Sequence, residues 1–583
     1  ALNIAMEGAG FISAYSRPNA QQVSEQLQAG STLDENMARL VSRREGINVV
    51  LAGQIEESGS GYRLSVLALD AAVDSEDSKP LAKASEKADD RSDVLAAVGR
   101  LASELRGRLG DTETESSRLA AAETFTAASL DAMRAYAQGQ EFASQGSFEE
   151  ALGAYEEAVS LDPEFGRAYA GMGTVYGNLR QQEKAEESYQ RALQHLERMT
   201  ERERYRTLGT YYLLVSRNYE KAIENYETLV ELYPADGVAH SNLALAYLND
   251  QQFQKAFEEG GIAVELDPGN FIKRINYAMY AMYAGEFETS MEESRKVMEQ
   301  NPSFGYSHFT LARSAIGDGD LDTAREAYEQ LDSEEMIGAE LAPLGQGDLA
   351  MYLGDTADAI RVLEASVGTG AEGPVAAAQL IVLAEAYLAL GETAYAKQVA
   401  QRAIDMSTQE SILYPAARIM LAAGDVEAAN KIAIDLENKL QSQTVSYARL
   451  IQGEIALRDN RLLPAVEALK DGWERYPSWF AHYLLGRAYL EAEHYPEALG
   501  EFETCLEREG EALDMFVVDG ATSRYLAPLH YYLGRAREGL GSTVTARESY
   551  ERFLSLRGEA EPPDPLAEDA ARRLEALTLA KAS

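Results

Sequence analysis

Small and apolar residues recur on one helical face within the stretch GSFEEALGAYEEAVSLDP, which runs from Gly146 to Pro163. Ala151, Tyr155 and Ala158 follow one another at intervals of four and three residues, so an α-helix places all three on one face. Acidic residues occupy much of the opposite face. Because proline cannot continue a helix, the stretch predicts an amphipathic helix that ends just before Pro163.

The same pattern returns along the chain with a period of 34 residues. One step forward from the first stretch gives Ala185, Tyr189 and Ala192, and the upstream Gly139 returns as Gly173. A second run in the same register contains small residues, tyrosines and helix-ending prolines: Ala222, Tyr226, Pro234, Ala256, Pro268, Ser290, Pro302, Ala324 and Tyr328. A fixed period of this length is the signature of a repeat array.

Each repeat is predicted to contain a helix A, a turn and a helix B. Small residues at the positions of Gly139 and Ala151 let the two helices approach closely, and the face with Tyr155 and Ala158 meets the next repeat. Further signature alanines bring the expected total to about twelve repeats between roughly residues 125 and 557: Ala359, Ala396, Ala428, Ala465, Ala498 and Ala546.

Two insertions interrupt the later repeats. The step from Ala498 to Ala546 is 48 residues, and its surplus falls in REGEALDMFVVDGATSRYLAP. A shorter insertion, VGTGAEGP, runs from Val367 to Pro374. A proline cluster then ends the array, and the charged helix from about Leu566 is expected to cap it with a polar face.

Residues 1–112 lack the 34-residue period. The stretches INVVLAGQIEES and GYRLSVLALDAAV predict two strands joined by a Gly/Ser turn, and GFISAYSR and KPLAKASEKA predict two more. Helices are expected near 20–29 and 34–45 and in DRSDVLAAVGRLASELRGRLG. The predicted fold is therefore mostly α: a small α/β (α+β) domain at 1–112, an α-solenoid at 113–557, and a capping helix and tail at 558–583.

Composition and charge restrict the class of partner. The formal net charge of −42 disfavours nucleic-acid backbones and anionic lipid, and favours basic partners or a solvated acidic surface. Residues 1–112 carry 17 acidic and 12 basic residues, a net of −5, so −37 belongs to the rest of the chain. The single cysteine, Cys505, excludes an intrachain disulfide and is interpreted as a core residue. No apolar run is long enough to predict a membrane span.

No catalytic or metal-binding motif is found in the sequence, so no catalytic residue, metal ligand or cofactor is predicted. The glycine-rich GMGTVYG at 171–177 lies within a predicted helix A, where close packing explains the glycines. The acidic GDGDLD at 317–322 is interpreted as a turn between helices, since the rest of a calcium loop is missing. The six histidines do not form the spacing of a metal site.

Tyrosine is abundant, with 32 in the chain, and several tyrosines fall on predicted A helices. An aromatic groove could bind a peptide, because tyrosine offers a large contact area and a hydroxyl group. The alternative is that most of these rings pack between helices. The candidate partner-binding residues are Tyr211, Tyr212, Asn242, Tyr247, Tyr280, Tyr283 and Tyr483.

The period, the two small residues, the aromatic residue and the terminal proline together resemble the tetratricopeptide repeat. The resemblance implies that helix A lines a concave, partner-binding face. Some members of this family clamp a carboxylate with Lys, Asn and Arg on helix A. Asn242 matches one such position, but Ser241 and Leu245 do not supply the remaining clamp residues, so a carboxylate clamp is not expected.

The order of a small domain ending LASELRGRLG, then ASLDAMRAYAQG, then a long array is similar to the C-terminal, non-catalytic region of bacterial eukaryotic-like Ser/Thr kinases. That resemblance implies a kinase upstream of Ala1 and an extracytoplasmic sensor or docking role, periplasmic or at the cell surface. The expected function is a non-catalytic scaffold that binds a peptide or protein on the concave face. A stand-alone adaptor and a self-assembling structural protein are the alternatives.

Overall fold

The computed structural model describes residues 2–7, 10–15, 17–73, 79–111, 127–333, 335–368, 370, 372–439, 441–517, 520–560 and 562–582. These residues form two compact units, Ala1–Lys273 and Arg274–Ser583. The boundary predicted at residue 112 lies outside the described residues, and the one at 557 falls where the last B helix ends.

The first unit begins with a small α+β region. Its helices are α1 (Leu2–Met6), α2 (Arg17–Leu27), α3 (Glu35–Glu45) and α4 (Val94–Arg108), and its strands are β1 (Val49–Ser58), β2 (Gly61–Asp70) and β3 (Ala82–Ala88). The strands form one antiparallel sheet in the order β1-β2-β3. The predicted hairpin is confirmed, with Ser58 opposite Gly61.

The sheet buries apolar residues on both of its faces. Leu64 and Val66 of β2 pack with Leu101 and Leu105 of α4 in a core that α1 also enters. On the other face, a smaller cluster joins β1 and β2 to α3. Strand residues that alternate between two buried faces explain why this short sheet is stable beside the helical array.

The strand predicted in GFISAYSR is wrong: residues 11–15 form no strand, and α2 begins at Arg17. The start of the chain instead contacts the repeats of the first unit. The Ala235 backbone amide donates to the carbonyl of Gly10 at 2.9 Å, and Arg202 donates to the carbonyl and carboxylate of Glu7 at 2.8 and 3.0 Å. The Gly10 carbonyl, which a strand would have paired within the sheet, is thus bonded to a repeat instead.

Twelve helical pairs follow in the described residues, as predicted, and form an α-solenoid. The first four pairs, repeats 1 to 4, belong to the first unit: α5 (Leu130–Ser144) and α6 (Phe148–Leu161), α7 (Gly166–Asn178) and α8 (Gln182–Leu193), α9 (Glu201–Thr210) and α10 (Tyr219–Leu232), α11 (Gly237–Asn249) and α12 (Phe253–Leu266).

Repeats 5 to 12 belong to the second unit, apart from the first residues of α13. Repeats 5 to 8 are α13 (Phe271–Tyr283) and α14 (Phe287–Gln300), α15 (Tyr306–Asp318) and α16 (Leu321–Leu331), α17 (Ala342–Leu353) and α18 (Thr356–Val367), α19 (Pro374–Ala389) and α20 (Thr393–Met406).

Repeats 9 to 12 complete the second unit: α21 (Glu410–Ala422) and α22 (Val426–Glu437), α23 (Ser442–Arg458) and α24 (Leu462–Arg475), α25 (Trp479–Glu491) and α26 (Tyr495–Glu507), α28 (Ala527–Gly539) and α29 (Thr543–Arg557). The short helix α27 (Glu509–Ala512) lies within the longer predicted insertion, and α30 (Pro565–Ala582) follows the proline cluster.

A small residue occupies the fourth position of every B helix. These residues are Ala151, Ala185, Ala222, Ala256, Ser290, Ala324, Ala359, Ala396, Ala429, Ala465, Ala498 and Ala546, and each is at most 1% exposed. In repeat 9 the sequence prediction of Ala428 was one residue early. Ala429 is buried, whereas Ala428 is partly exposed on the neighbouring face of α22.

Glycines on the A helices make room for the large residue of helix B. A Cβ on Gly139 would lie 2.6 Å from two ring atoms of Tyr155, and a Cβ on Gly173 would lie 2.6 Å from the ring of Tyr189. Ala158 and Ala192 are also buried on these B helices. Real Cβ atoms do not approach so closely, so the tyrosine rings occupy the space that a side chain would need.

The predicted stop residues all lie just beyond their helices. The B helices of repeats 1, 3, 4 and 5 each end two residues before a proline, at Pro163, Pro234, Pro268 and Pro302. GDGDLD forms the turn between α15 and α16, where Gly319 has a φ of 85° and the Asp320 side chain accepts from the Thr323 backbone amide. Glycine tolerates that left-handed conformation, and aspartate is a favoured helix N-cap.

Candidate functional site

In repeat 3 the small residues of helix A and helix B are one residue further apart in sequence than in the other repeats. The distance in sequence from the small residue of helix A to that of helix B is 13 from Gly209 to Ala222, but 12 from Gly139 to Ala151 and from Gly173 to Ala185. The surplus is absorbed by a π-helical turn, Tyr211–Val215, that continues α9. π-turns inside α-helices are frequent at functional sites.

The π-turn carries two of the predicted partner-binding tyrosines. The rings of Tyr211 and Tyr212 lie 5.3 Å apart, and both side chains are half-buried. Tyr211 also lies 6.2 Å from the ring of Tyr189, and the Lys221 ammonium lies 5.2 Å from the Tyr212 centroid. The next residues include Leu214, which is 39% exposed. This surface combines aromatic rings that are partly open to solvent with an exposed apolar side chain.

Asn242 lies on helix A of the next repeat, where its side chain is half-buried and donates to the Tyr226 hydroxyl at 3.1 Å. The same hydroxyl contacts the Thr210 hydroxyl at 2.8 Å. Burial raises the pKa of Tyr226 to about 12, against the lowering effect of these two hydrogen bonds. Tyr226 therefore remains protonated at neutral pH and connects repeats 3 and 4 through Thr210 and Asn242.

The other four candidate tyrosines are interior residues. Tyr247, Tyr280, Tyr283 and Tyr483 are at most 6% exposed. Tyr247 donates to Glu227 at 2.5 Å, and Tyr283 donates to the carbonyl of Asp514 at 2.7 Å. Their rings contribute packing and internal hydrogen bonds. Little of their surface is available to a partner.

A buried ion pair joins the start of the chain to repeats 3 and 4 within the first unit. Asp236, at the N-terminus of α11, accepts from Arg202 at 3.0 and 3.1 Å and also from Arg206. Burial alone would raise the pKa of Asp236, but the two guanidinium groups hold it well below its usual range. The Arg202 contact to Glu7 extends this network to the N-terminal segment.

A row of charged residues, here called the ladder, follows the small residues of the A helices in the second unit. Each ladder residue comes directly after the small residue that meets helix B. In repeats 6 to 12 they are Arg313, Asp348, Glu385, Arg418, Glu454, Arg487 and Arg535. The same position is uncharged in repeats 1 to 5, where it holds Gln140, Thr174, Thr210, Leu245 and Met279. This row was not predicted from the sequence, although the charges line up once the repeats are aligned on their small residues.

Three ladder residues bind the predicted insertion, whose residues Glu509–Leu526 are here called the inserted segment. Arg313 donates to the Asp514 carboxylate at 2.7 Å. Asp348 accepts from the guanidinium of Arg524 at 2.7 Å, and Glu385 accepts from the same guanidinium. In the sequence this stretch reads only as an interruption between repeats. Most of its described residues are instead buried against repeats of the second unit.

The remaining ladder residues mostly form ion pairs with one another or contact neighbouring aromatic rings. Arg418 donates to Glu454 at 3.0 and 3.3 Å. Arg487 makes no hydrogen bond or ion pair within the described residues, but its guanidinium lies 5.8 and 5.3 Å from the ring centroids of Tyr483 and Tyr532. Cation–π contacts of this kind stabilise a partly buried cation.

The described residues contain no cluster of three or more His, Cys, Asp or Glu side chains suited to a metal ion. Cys505 is fully buried, and burial raises its thiol pKa well above the usual value, which disfavours the reactive thiolate. Among the described helices, none combines the length and the apolar character needed to cross a lipid bilayer.

Comparisons with known proteins agree with the repeat geometry. Tetratricopeptide repeat family models match residues 139–179, 166–194, 211–271 and 344–411. No curated protein sequence matches the chain.

Several solved structures match parts of the chain at low similarity. The Cut9–Hcn1 complex of the APC/C has a TM-score of 0.35 and 13% identity, covering 83% of this chain and 94% of that one. PilF of Pseudomonas aeruginosa has a TM-score of 0.28 and 21% identity, covering 35% and 90%. YrrB, described as a TPR protein with an unusual peptide-binding site, has a TM-score of 0.23 and 23% identity, covering 30% and 90%. The stretches that the family models match carry the paired helices and small residues described above, and in these stretches the chain contains tetratricopeptide repeats.

Proposed function

We propose that the chain is a non-catalytic protein-interaction scaffold that binds a peptide or protein segment on the first unit, around Tyr211, Tyr212 and Asn242. Helical repeats support extended binding surfaces because each repeat packs only on its neighbours. The observation that carries this proposal is the π-turn, which sets two half-buried tyrosines beside the exposed Leu214. The buried Tyr247, by contrast, offers a partner little surface.

The charge distribution favours a basic partner. The chain outside residues 1–112 carries a formal charge of −37, and the B helices of the first unit are rich in glutamate. Such a field accelerates association with lysine- or arginine-rich segments and repels other acidic proteins. We therefore expect binding that weakens steeply as salt rises, because exposed charges are screened beyond about 8 Å at physiological ionic strength.

The test begins with a peptide selected from a random phage-display library on the intact chain. Fluorescence anisotropy then compares its affinity for the wild type and for the double variant Tyr211→Ala/Tyr212→Ala. We expect at least a tenfold loss, since aromatic anchors at an interface typically contribute more than about 1.4 kcal/mol each. Tyr395→Ala is the matched control, because Tyr395 is 58% exposed in repeat 8 of the second unit.

Two results would contradict this proposal. One is that the double variant binds the peptide as tightly as the wild type does, while its circular dichroism spectrum shows that it is folded like the wild type. The other is an affinity that stays constant as NaCl is raised from 50 to 500 mM. That result would exclude the proposed preference for a basic partner. The signalling-kinase context, the extracytoplasmic location, the stand-alone adaptor and the self-assembling structural role stay predictions.

A further inference from the structure

The inserted segment is more deeply buried than an inter-repeat loop normally is. Leu513, Asp514 and Met515 are at most 2% exposed, and Phe516 and Arg524 are at most 9% exposed. Loops usually run over the surface, because buried backbone needs hydrogen-bond partners. This segment leaves the array after repeat 11 and returns at repeat 12, yet it contacts repeats that precede it by some 200 residues in the chain.

Backbone groups of the inserted segment form hydrogen bonds both within the segment and with side chains of A helices. The Tyr283 hydroxyl donates to the carbonyl of Asp514, and Asp348 accepts from the backbone amide of Ser523 at 2.9 Å. Within the segment, the Thr522 amide donates to the carbonyl of Leu513 at 3.2 Å, and the Met515 amide donates to the Thr522 hydroxyl at 3.1 Å. The described residues of the segment are thus bonded to one another and are fixed to the repeats largely by side chains.

Aromatic residues of repeats 9, 10 and 11 surround Phe516. Its ring centroid lies 6.4 Å from that of Tyr414, 5.6 Å from that of Tyr447 and 6.1 Å from that of Phe480. Ring pairs at these separations are favourable beyond the area that they bury. A phenyl group held in an aromatic cage is a typical anchor of a bound peptide.

The charges of the segment complement the ladder. The acidic Asp514 meets the cation Arg313, and the basic Arg524 meets the anions Asp348 and Glu385. All of these ion pairs are largely buried, and exchanging the signs on either side would leave unpaired charges in the interior. Aromatic contacts and charge therefore match between the described residues of the segment and the repeats, as they do between a receptor and its peptide ligand.

We propose that the A helices of repeats 5 to 11 form a second peptide-binding site, and that the inserted segment is the ligand that occupies it in cis. The site recognises an acidic residue, a phenyl ring two positions later and an arginine eight positions after the ring, as in Asp514, Phe516 and Arg524. A tether keeps the effective concentration of such a ligand in the millimolar range, so the site is filled in the intact chain. An external peptide of the same chemistry binds only when the segment leaves.

The first experiment replaces residues 511–524 with a Gly-Ser linker of equal length and adds a fluorescent peptide of residues 508–527. We expect the linker variant to bind this peptide at least tenfold more tightly than the intact chain does, because the intact site is already filled. A control peptide carries Asp514→Lys, Phe516→Ala and Arg524→Glu and should not bind. A linker variant with wild-type helix content that fails to bind the first peptide overturns the proposal.

Hydrogen exchange on the intact chain gives the deciding measurement if the linker variant does not fold. The amides of Met515 and Thr522 are both hydrogen-bonded within the segment. A ligand held in cis leaves without unfolding its site, so these amides should exchange at least tenfold faster than those in the centres of α15 and α17. Equal rates would show that the segment is released only when the repeats unfold, and would refute its role as a separable ligand.

Discussion

Replacing Gly139 by alanine is expected to loosen the first repeat, although alanine is the better helix former. The added Cβ would lie 2.6 Å from two ring atoms of Tyr155, which is itself 3% exposed and cannot simply turn into solvent. Forcing an extra carbon into such packing typically costs about 1–3 kcal/mol. The gain in helix propensity, about 1 kcal/mol, offsets part of this cost.

Gly153→Ala provides the matched control in the same repeat. Gly153 lies on the exposed face of α6, and nothing lies within 4 Å of a Cβ placed there. This variant receives the propensity gain without the clash and should be slightly more stable than the wild type. The two alanine variants should therefore differ by about 1–3 kcal/mol, with the variant at Gly139 the less stable.

Hydrogen exchange is the suitable assay, because a long repeat array does not unfold in one step and local opening reports on one repeat. The amides of α5 and α6 should exchange between about fivefold and 150-fold faster in the Gly139→Ala chain than in the Gly153→Ala chain. Equal protection in the two variants would show that Tyr155 relocates at no cost, and the packing argument would then be wrong.

Two further predictions concern buried charge. Burial and two neighbouring arginines lower the pKa of His530 to about 4, whereas an unfolded chain binds this proton near pH 6.5. The unfolded state is therefore favoured as the pH falls, and the free energy of unfolding should decrease by up to about 3 kcal/mol between pH 7 and pH 4. The free energy of local opening of repeat 12, measured by hydrogen exchange, should depend less on pH in the His530→Gln chain than in the wild type, and an equal pH dependence would contradict this reasoning. Asp236→Ala should lower the free energy of local opening of repeats 3 and 4, measured by hydrogen exchange, by about 3–5 kcal/mol because Arg202 and Arg206 lose their carboxylate. Asp236→Asn should cost about 1 kcal/mol less by keeping the helix cap, and equal losses would contradict the capping role.

The repeat array could be predicted from the sequence because its packing rule is local. Gly139, Ala151 and Tyr155 meet one another within one helical pair, so their spacing is fixed by helix geometry and recurs with each repeat. The misplacement at Ala428 shows the limit of this rule. Two adjacent alanines satisfy the pattern equally well, and only packing against the neighbouring helices selects Ala429.

The candidate site was harder to predict because it depends on contacts between distant parts of the chain. Composition alone makes the inserted segment resemble a loop, and the burial of Phe516 follows from aromatic rings on three separate repeats. For a similar reason, the sequence did not separate the partly exposed candidate tyrosines from the buried ones. Tyr211 and Tyr212 are half-buried on a π-turn that no propensity rule anticipates, whereas Tyr280 and Tyr283 lie in the interior.

The burial of the inserted segment has a consequence for synthesis on the ribosome. Asp514 follows its partner Arg313 by 201 residues, and at about 5–20 residues per second this interval takes about 10–40 s. Until then, the ladder residues that bind the segment and the rings that surround Phe516 lack these contacts. The second unit therefore completes its interior only near the end of translation, and this nascent stage is the period in which a chaperone would protect it most.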